Sequence, residues 1–302
     1  QYPEAFCQDA PALPDAPAFA HLFAGLVHLA DWLGSDTRPG FFPYSEPGQD
    51  RAATAAVRAR HAVQTIGLDV GDRAVRADFS HIFNVPAPHA MQAAMAERDF
   101  GPVVVLEAET GSGKTEAALW HFLHLWRGGK VDALYFALPT RVAASQIYER
   151  VQSFVQRAWM QKPPVTVRAL PGYTAADGQA AQSLPHFQVL WADEPGDQQA
   201  ERRWAAESPK RYLAATIAVG TIDQALLGGL QIKHAHMRHT LLARSLLVVD
   251  EVHASDVYMG RLLEHLLRAH VALGGRALLL SATLGAVARS AYLAIATGGA
   301  PS

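Results

Sequence analysis

The chain is poor in the features that would assign it to several large protein classes. It has one cysteine, Cys7, among 302 residues. That excludes an internal disulfide framework and fits a reducing, cytoplasmic setting. No apolar run reaches bilayer-spanning length and no signal peptide opens the sequence, so no membrane partner is expected. Charge of one sign is also missing: 26 Lys and Arg against 28 Asp and Glu leave a net charge of −2. A nucleic-acid partner would have to be met by a local groove, because there is no global basic field. No internal repeat is visible. What the chain does hold is apolar material, with half its residues hydrophobic and 18% charged. That is enough for a sizeable core and argues against wholesale disorder. The first residue is Gln1 rather than Met, as expected of a fragment or a processed chain.

Residues 1–17, rich in Pro, Ala and Asp, read as a loop or a frayed end. Phe19, Leu22, Phe23, Leu26, Leu29 and Leu33 then recur at helical spacing, and "GSDTRPGFFPYSEPGQD" ends that helix. One carboxylate, Asp31, shares a helix face with Ala24, Val27, His28 and Ser35, away from the apolar stripe. From the helix alone it reads as a solvated residue. An Ala/Arg-rich helix is expected over 51–66, and 67–90 reads as a linker or docking segment. Beyond residue 100 the pattern changes. The runs "VVVLEA", "DALYFALP", "VTVRAL", "TIAVGT", "LLVVDE" and "ALLLSAT" alternate with helical stretches starting near Lys114, Arg141, Asp223 and Val257. Continuous Val/Leu-rich strands between helices imply an α/β fold, a parallel sheet covered on both faces. The polar segment 171–211, carrying Trp191 and Trp204, reads as an insertion over the sheet.

"VVVLEAETGSGKTEAAL" places a buried strand, a Gly-rich turn and a helix in order, the context a Walker A motif requires. Backbone N–H groups of Gly111, Ser112 and Gly113 at a helix N-terminus can cradle nucleotide phosphates. Lys114 reaches the β- and γ-phosphates, and the Thr115 hydroxyl binds Mg²⁺. Ala108 stands where the motif has its first Gly, a substitution common in helicase-type loops. "SLLVVDEVHASD" ends a second buried strand in carboxylates. Asp250 is placed to hold Mg²⁺, and Glu251 to orient and deprotonate a water; alone, the same residues could be a solvated strand terminus. His253 could link the ATP site to a nucleic-acid cleft, and "LLLSATL" adds the hydroxyls of Ser281 and Thr283.

These three ordered motifs resemble the first motor domain of a superfamily 2 helicase, a RecA-like P-loop fold. The resemblance implies strand-binding segments between them. Pro139, Thr140 and Arg141 would grip phosphates, with Gly220, Thr221, Asp223 and Gln224 beside them. Taken singly, each segment reads better as an ordinary strand-to-helix cap formed by Thr140, Thr221 or Asp223; together and in order they make a strand-binding ledge. "FNVPAPHAMQ" resembles the adenine-reading Gln segment, which would make Gln92 a base contact.

A narrower resemblance lies in "QIKHAHMRHTLLARSLLVVDEVHASDVYM", which is similar to the helicase–nuclease of type I CRISPR interference. That family fuses an HD nuclease to a DExH helicase and is recruited by the Cascade surveillance complex. Lys233, His234, His236, Arg238, His239 and Asp256 match its pattern, as do "VGTIDQALL" and "ADWLGSD" followed by "FFPY". The resemblance implies a monomeric parent that uses ATP and Mg²⁺ to translocate 3′ to 5′, unwinds foreign DNA and nicks single-stranded DNA. It divides the chain into the helical tail of an HD domain with its linker, 1–70, and the first motor domain, 71–302. In that family the last ligand of the HD-site transition metal is an Asp in a segment like "ADWLGSD", and Asp31 matches it. No His-Asp dipeptide occurs here, and 19 residues follow Thr283. Asp31 is therefore expected to be an orphaned ligand, and the chain alone to bind ATP–Mg²⁺ weakly, hydrolyse it slowly or not at all, and cut nothing. Two other readings stay open, a DExH RNA helicase and a non-hydrolysing docking fragment. His234, His236 and His239 have no acidic or Cys partner at ligand spacing and read as a polar surface helix or part of the DNA path. Trp120 and Trp126 read as core.

Overall fold

The computed structural model describes residues 12–44, 48, 50–183, 189–193, 197–230, 232–252 and 257–297. The expectations for Cys7, His253 and Asp256 lie outside the described residues. Nine strands form one sheet: β1 Val103–Glu107, β2 Ala133–Leu138, β3 Thr166–Ala169, β4 Thr174–Ala176, β5 Gln179–Ser183, β6 Val189–Trp191, β7 Ile217–Thr221, β8 Ser245–Val249 and β9 Arg276–Ser281. Their order is β1-β9-β8-β2-β7-β3-β4-β5-β6. The six strands expected from sequence are the six parallel ones, β1 to β3 and β7 to β9.

The helices are α1 Pro17–Gly34, α2 Arg51–Thr65, α3 Phe79–Phe83, α4 Ala90–Glu97, α5 Lys114–Arg127, α6 Arg141–Ala158, α7 Asp197–Arg202, α8 Ile222–Leu226, α9 Ala235–Ala243, α10 Val257–Ala272 and α11 Ala286–Ala296. Side chains alternate across the pleat, so each strand feeds two cores. Leu134, Phe136, Val219, Val248 and Leu278 pack under α3 to α6, where Trp120 and Trp126 are buried among Phe79, Phe122 and Trp159. Tyr135, Ala137, Ala218, Leu247 and Leu279 pack on the opposite face with Leu29 and Leu33 of α1, Leu241 of α9, Leu266 of α10 and Tyr292 of α11.

Three expectations are corrected or narrowed. The 171–211 segment lies over the sheet only in its second half. Its first half extends the sheet edge as an antiparallel ribbon, β4 to β6. Asp177 and Gly178 both take positive φ, 51° and 76°, in the two-residue turn of the β4–β5 hairpin, the backbone that tight hairpins demand. Its second half buries Trp204 in the core against β3 and β4, and Tyr212, just beyond it, is buried there too. Of the two readings of residues 67–90, linker or docking segment, the second holds. Arg73 Nη1 donates to Trp126 O (3.0 Å) and Val131 O (2.8 Å), Arg73 pairs with Asp132, and Val75 bridges to Trp159.

The third correction concerns α1 and α9. Phe23, Leu26 and Val27 of α1 are about half exposed, whereas Gly25, Leu29 and Leu33 are buried. The apolar stripe is rotated because α9 docks at Gly25, where an added Cβ would sit 2.1 Å from Thr240 Oγ1 and 2.5 Å from the His236 carbonyl oxygen. The His-rich helix α9 is accordingly interior, with Met237, Arg238, His239, Thr240, Leu241 and Leu242 buried. The connection after α1 is tied down as well. Gly40 N donates to buried Glu201 (2.7 Å), Arg38 pairs with Glu207 (2.9 Å), and Phe41 of "FFPY" is fully buried.

Candidate functional site

Because the six central strands run parallel, their C-terminal ends share one edge, where ligands of open α/β sheets bind. Along that edge stand, in spatial order, the loop after β1, Ser281 at the end of β9, Asp250 after β8, Pro139 to Arg141 after β2, Thr221 at the end of β7, and the turn after β3.

The loop between β1 and α5 turns through Gly111 and Gly113, whose φ values of 83° and 86° favour glycine at both positions. Lys114 is buried, and its Nζ folds back to donate to Ala108 O (2.7 Å) and Glu109 O (3.0 Å). The loop thus holds its cation over its own carbonyls, in the place where phosphate oxygens can replace them. Ser112 Oγ donates to Glu109 O at 2.6 Å, and Thr115 is half-buried in the first turn of α5. Gln92, expected to contact a base, stands beside the phosphate loop. It is buried, accepts from His89 N (2.9 Å), and donates to Gly113 O (3.2 Å), bracing the loop from behind.

Asp250 follows β8, with its N–H donating to Ala137 O at 2.9 Å. Burial raises its pKa. Its hydrogen bond from Glu251 N–H (2.9 Å) and the nearby Lys114 and Arg150 pull the other way, while the Glu251 charge adds to the rise. Glu251 sits in the left-handed region at φ 56°, a costly conformation for a residue with a side chain and one found preferentially at functional sites. A desolvated carboxylate beside a phosphate-loop lysine suits a hard divalent cation such as Mg²⁺.

Ser281 joins the two halves. Its carbonyl accepts from Ala108 N (3.1 Å) at the root of the phosphate loop, and its hydroxyl donates to Thr283 O (2.9 Å). Glu107, which sequence reasoning missed, accepts from Leu284 N (2.8 Å) and Arg289 (2.8 Å), clamping the same loop. Its signal was a charge at the end of an otherwise apolar strand.

Pro139, Thr140 and Arg141 are exposed, Thr140 Oγ1 caps α6 by accepting from Ala143 N (3.2 Å), and Arg141 donates to Pro171 O (2.6 Å). Thr221 and Gln224 lie beneath the surface. Thr221 makes no side-chain cap, and its carbonyl accepts from the Tyr135 hydroxyl. The short helix α8 turns Gln224 inward, so Asp223 is the exposed member of that segment. Asp31 is exposed on α1, and no group of three or more His, Cys, Asp or Glu that could hold a metal ion occurs among the described residues. His21 and His236 instead share a ring-to-ring hydrogen bond of 2.8 Å across the α1–α9 seam. No helix among the described residues is long and apolar enough to cross a membrane.

A phosphate loop, an acidic strand end and a Ser-Ala-Thr loop on one edge of a parallel sheet are the parts of a nucleic-acid motor lobe. The model of the DEAD/DEAH box helicases matches residues 89–290, more than half of the chain, and the chain belongs to that family. Within it, the chain is similar to the CRISPR-associated endonuclease/helicase Cas3 of Thermus thermophilus, 37% identical over 281 residues, which is 89% of this chain and 30% of that protein. The crystal structure of T. fusca Cas3 with ATP superposes with a TM-score of 0.72 at 31% identity, covering 97% of this chain and 34% of that one. A chain in a CRISPR RNA-guided surveillance complex, pre-nicking, gives a TM-score of 0.58 at 27% identity, covering 97% and 29%. The chain thus spans about a third of the length of these relatives. Its fold is the RecA-like α/β lobe of such helicases, and the ATP-bound relative supports nucleotide binding.

Proposed function

We propose that this chain is the ATP-binding first motor lobe, residues 71–302, and the helical HD tail, residues 1–70, of an ATP-driven DNA helicase–nuclease of type I CRISPR interference, recruited by a Cascade-type complex. The observation that carries the reading is that Lys114, after β1, and Asp250, after β8, face one another across β9 at the C-terminal edge of the parallel strands, with the exposed Pro139–Thr140–Arg141 corner on the strand beyond β8.

In this reading Gly111, Ser112 and Gly113 present N–H groups to the nucleotide phosphates, and Lys114 leaves the loop carbonyls to neutralise them. Thr115 and Asp250 hold Mg²⁺, which when bound supplies charge neutralisation at the phosphates. Glu251 takes the proton of the attacking water. Gln92 keeps the loop in shape from behind, and Ser281 and Thr283 link the loop to strand movement. Arg141, Pro139 and Thr140 meet the phosphates of single-stranded DNA, with Thr221 and Gln224 supporting that ledge from below. Asp31 is one ligand of the HD-site transition metal, a role that its exposed carboxylate on α1 leaves open to partners from elsewhere.

The test is Lys114→Ala in the longest form in which this sequence occurs. Duplex unwinding should be lost, and metal-dependent nicking of single strands should remain. Unwinding that survives the substitution overturns the reading.

A further inference from the structure

We propose that Tyr173 is a base-stacking platform for the single strand, with Arg168 joining Arg141 as a phosphate contact beside it. This rests on the DNA reading above.

The turn that carries Tyr173 is built rigidly. Tyr173 N donates to Leu170 O at 3.0 Å, with Pro171 and Gly172 (φ 84°) at the two central positions, the signature of a type II turn. The Tyr212 hydroxyl donates to Leu170 O (3.2 Å) from beneath, and Arg141 donates to Pro171 O (2.6 Å) from the side. The turn leaves the C-terminal end of β3, whose Ala169 pairs with Gly220 of β7, so it extends the exposed corner formed by Pro139, Thr140 and Arg141.

Tyr135, Tyr148 and Tyr212 of this region are buried, but Tyr173 is 54% exposed. A ring serving only to pack the turn would be covered. Instead, the Arg141 and Arg168 guanidiniums lie 5.0 Å and 5.4 Å from its centre. Among the described residues neither guanidinium has a carboxylate partner, and Arg168 Nε is buried without a hydrogen bond. Uncompensated cations around an exposed aromatic ring match what a single strand offers. Phosphates draw the guanidiniums off the ring, and an unpaired base takes their place. Stacking of this kind accepts any base and rejects paired ones, as a translocase needs.

The test is fluorescence anisotropy of this chain with an oligo-dT, an abasic sugar–phosphate strand of the same length and a duplex, over a salt series. Tyr173→Ala should weaken oligo-dT binding on the order of 10-fold. It should reduce the preference for oligo-dT over the abasic strand by the same factor and leave the salt slope unchanged. Tyr173→Phe should restore binding, which a role for the hydroxyl in holding the turn would not. Arg168→Gln should lower the salt slope by about 0.7. Equal binding by wild type and Tyr173→Ala, or loss of affinity without loss of the base preference, overturns the proposal while the DNA reading stands. Failure of the wild type to bind oligo-dT overturns both.

Discussion

Asp250 carries a charge that the fold disfavours. Burial is the largest influence on it and raises its pKa. The unfolded carboxyl therefore releases its proton at lower pH than the folded one. Between those two values the folded chain holds a proton the unfolded chain has lost, so stability falls as pH rises through that window and stays lower above it. Asp250→Asn removes the charge and keeps the shape. At pH 7 in the presence of a chelator, its melting midpoint should rise by ~2–4 °C, the equivalent of about 1 kcal/mol, and Mg²⁺-dependent ATP hydrolysis by the complete motor should be lost. A fall in the midpoint would mean that attraction to Lys114 and Arg150 outweighs desolvation. At this scale the sequence was informative where chemistry is written in consecutive letters. Lys114 and Asp250 were legible from "GSGKT" and "VVDE". The inward turn of Gln224 and the backbracing role of Gln92 were not, because each depends on where a short helix aims an amide.

The α1–α9 seam shows what periodicity misses. Spacing along α1 identified a stripe of large apolar residues, but the packed face is centred on Gly25, because a backbone approaching this closely admits no side chain. Helix propensity alone favours Gly25→Ala by ~0.5–1 kcal/mol. The seam reverses the sign: Gly25→Ala should destabilise by about 1–3 kcal/mol through overpacking against Thr240 and the His236 carbonyl. Gly34, with nothing within 4 Å of an added Cβ, serves as the control, and Gly34→Ala should be neutral or stabilising in the same urea titration. The histidines give the seam a pH dependence. Burial, then the neighbouring His270, His21, His265 and His236, lower the pKa of His239 to about 3. The unfolded imidazole binds a proton near 6.5 and the folded one does not, so stability is full above that value and declines as pH falls from about 6.5 towards 3. The melting midpoint should drop between pH 7 and pH 5, and His239→Met should flatten that slope. An unchanged slope would assign the acid sensitivity elsewhere. Sequence reading put His239 on a surface helix or the DNA path, since nothing in the letters of α9 shows that α1 covers it.

For the whole molecule, the order of the six parallel strands arranges the functions. Their existence was legible because each is a short apolar run between helical stretches. The crossover order that sets β9 between β1 and β8 was not, since it is decided by packing over long sequence separations. That order places Ser281 against the phosphate loop and leaves β2, β7 and β3 as a separate ledge. In the proposed function a nucleotide binds at one end of this edge and the single strand along the other. Lys114 is held by Ala108 and Glu109 carbonyls in the free chain, so binding exchanges two neutral acceptors for charged phosphates without unfolding the loop. Mg²⁺–ATP at 100 times its Kd should stabilise the chain by about 2.7 kcal/mol, a rise of roughly 5 °C in the melting midpoint at this chain length. Lys114→Ala should abolish the rise, whereas Arg168→Gln, at the far end of the edge, should keep it. If both variants lose it, the two halves of the edge are not separable, and nucleotide binding depends on the ledge as well as on the loop.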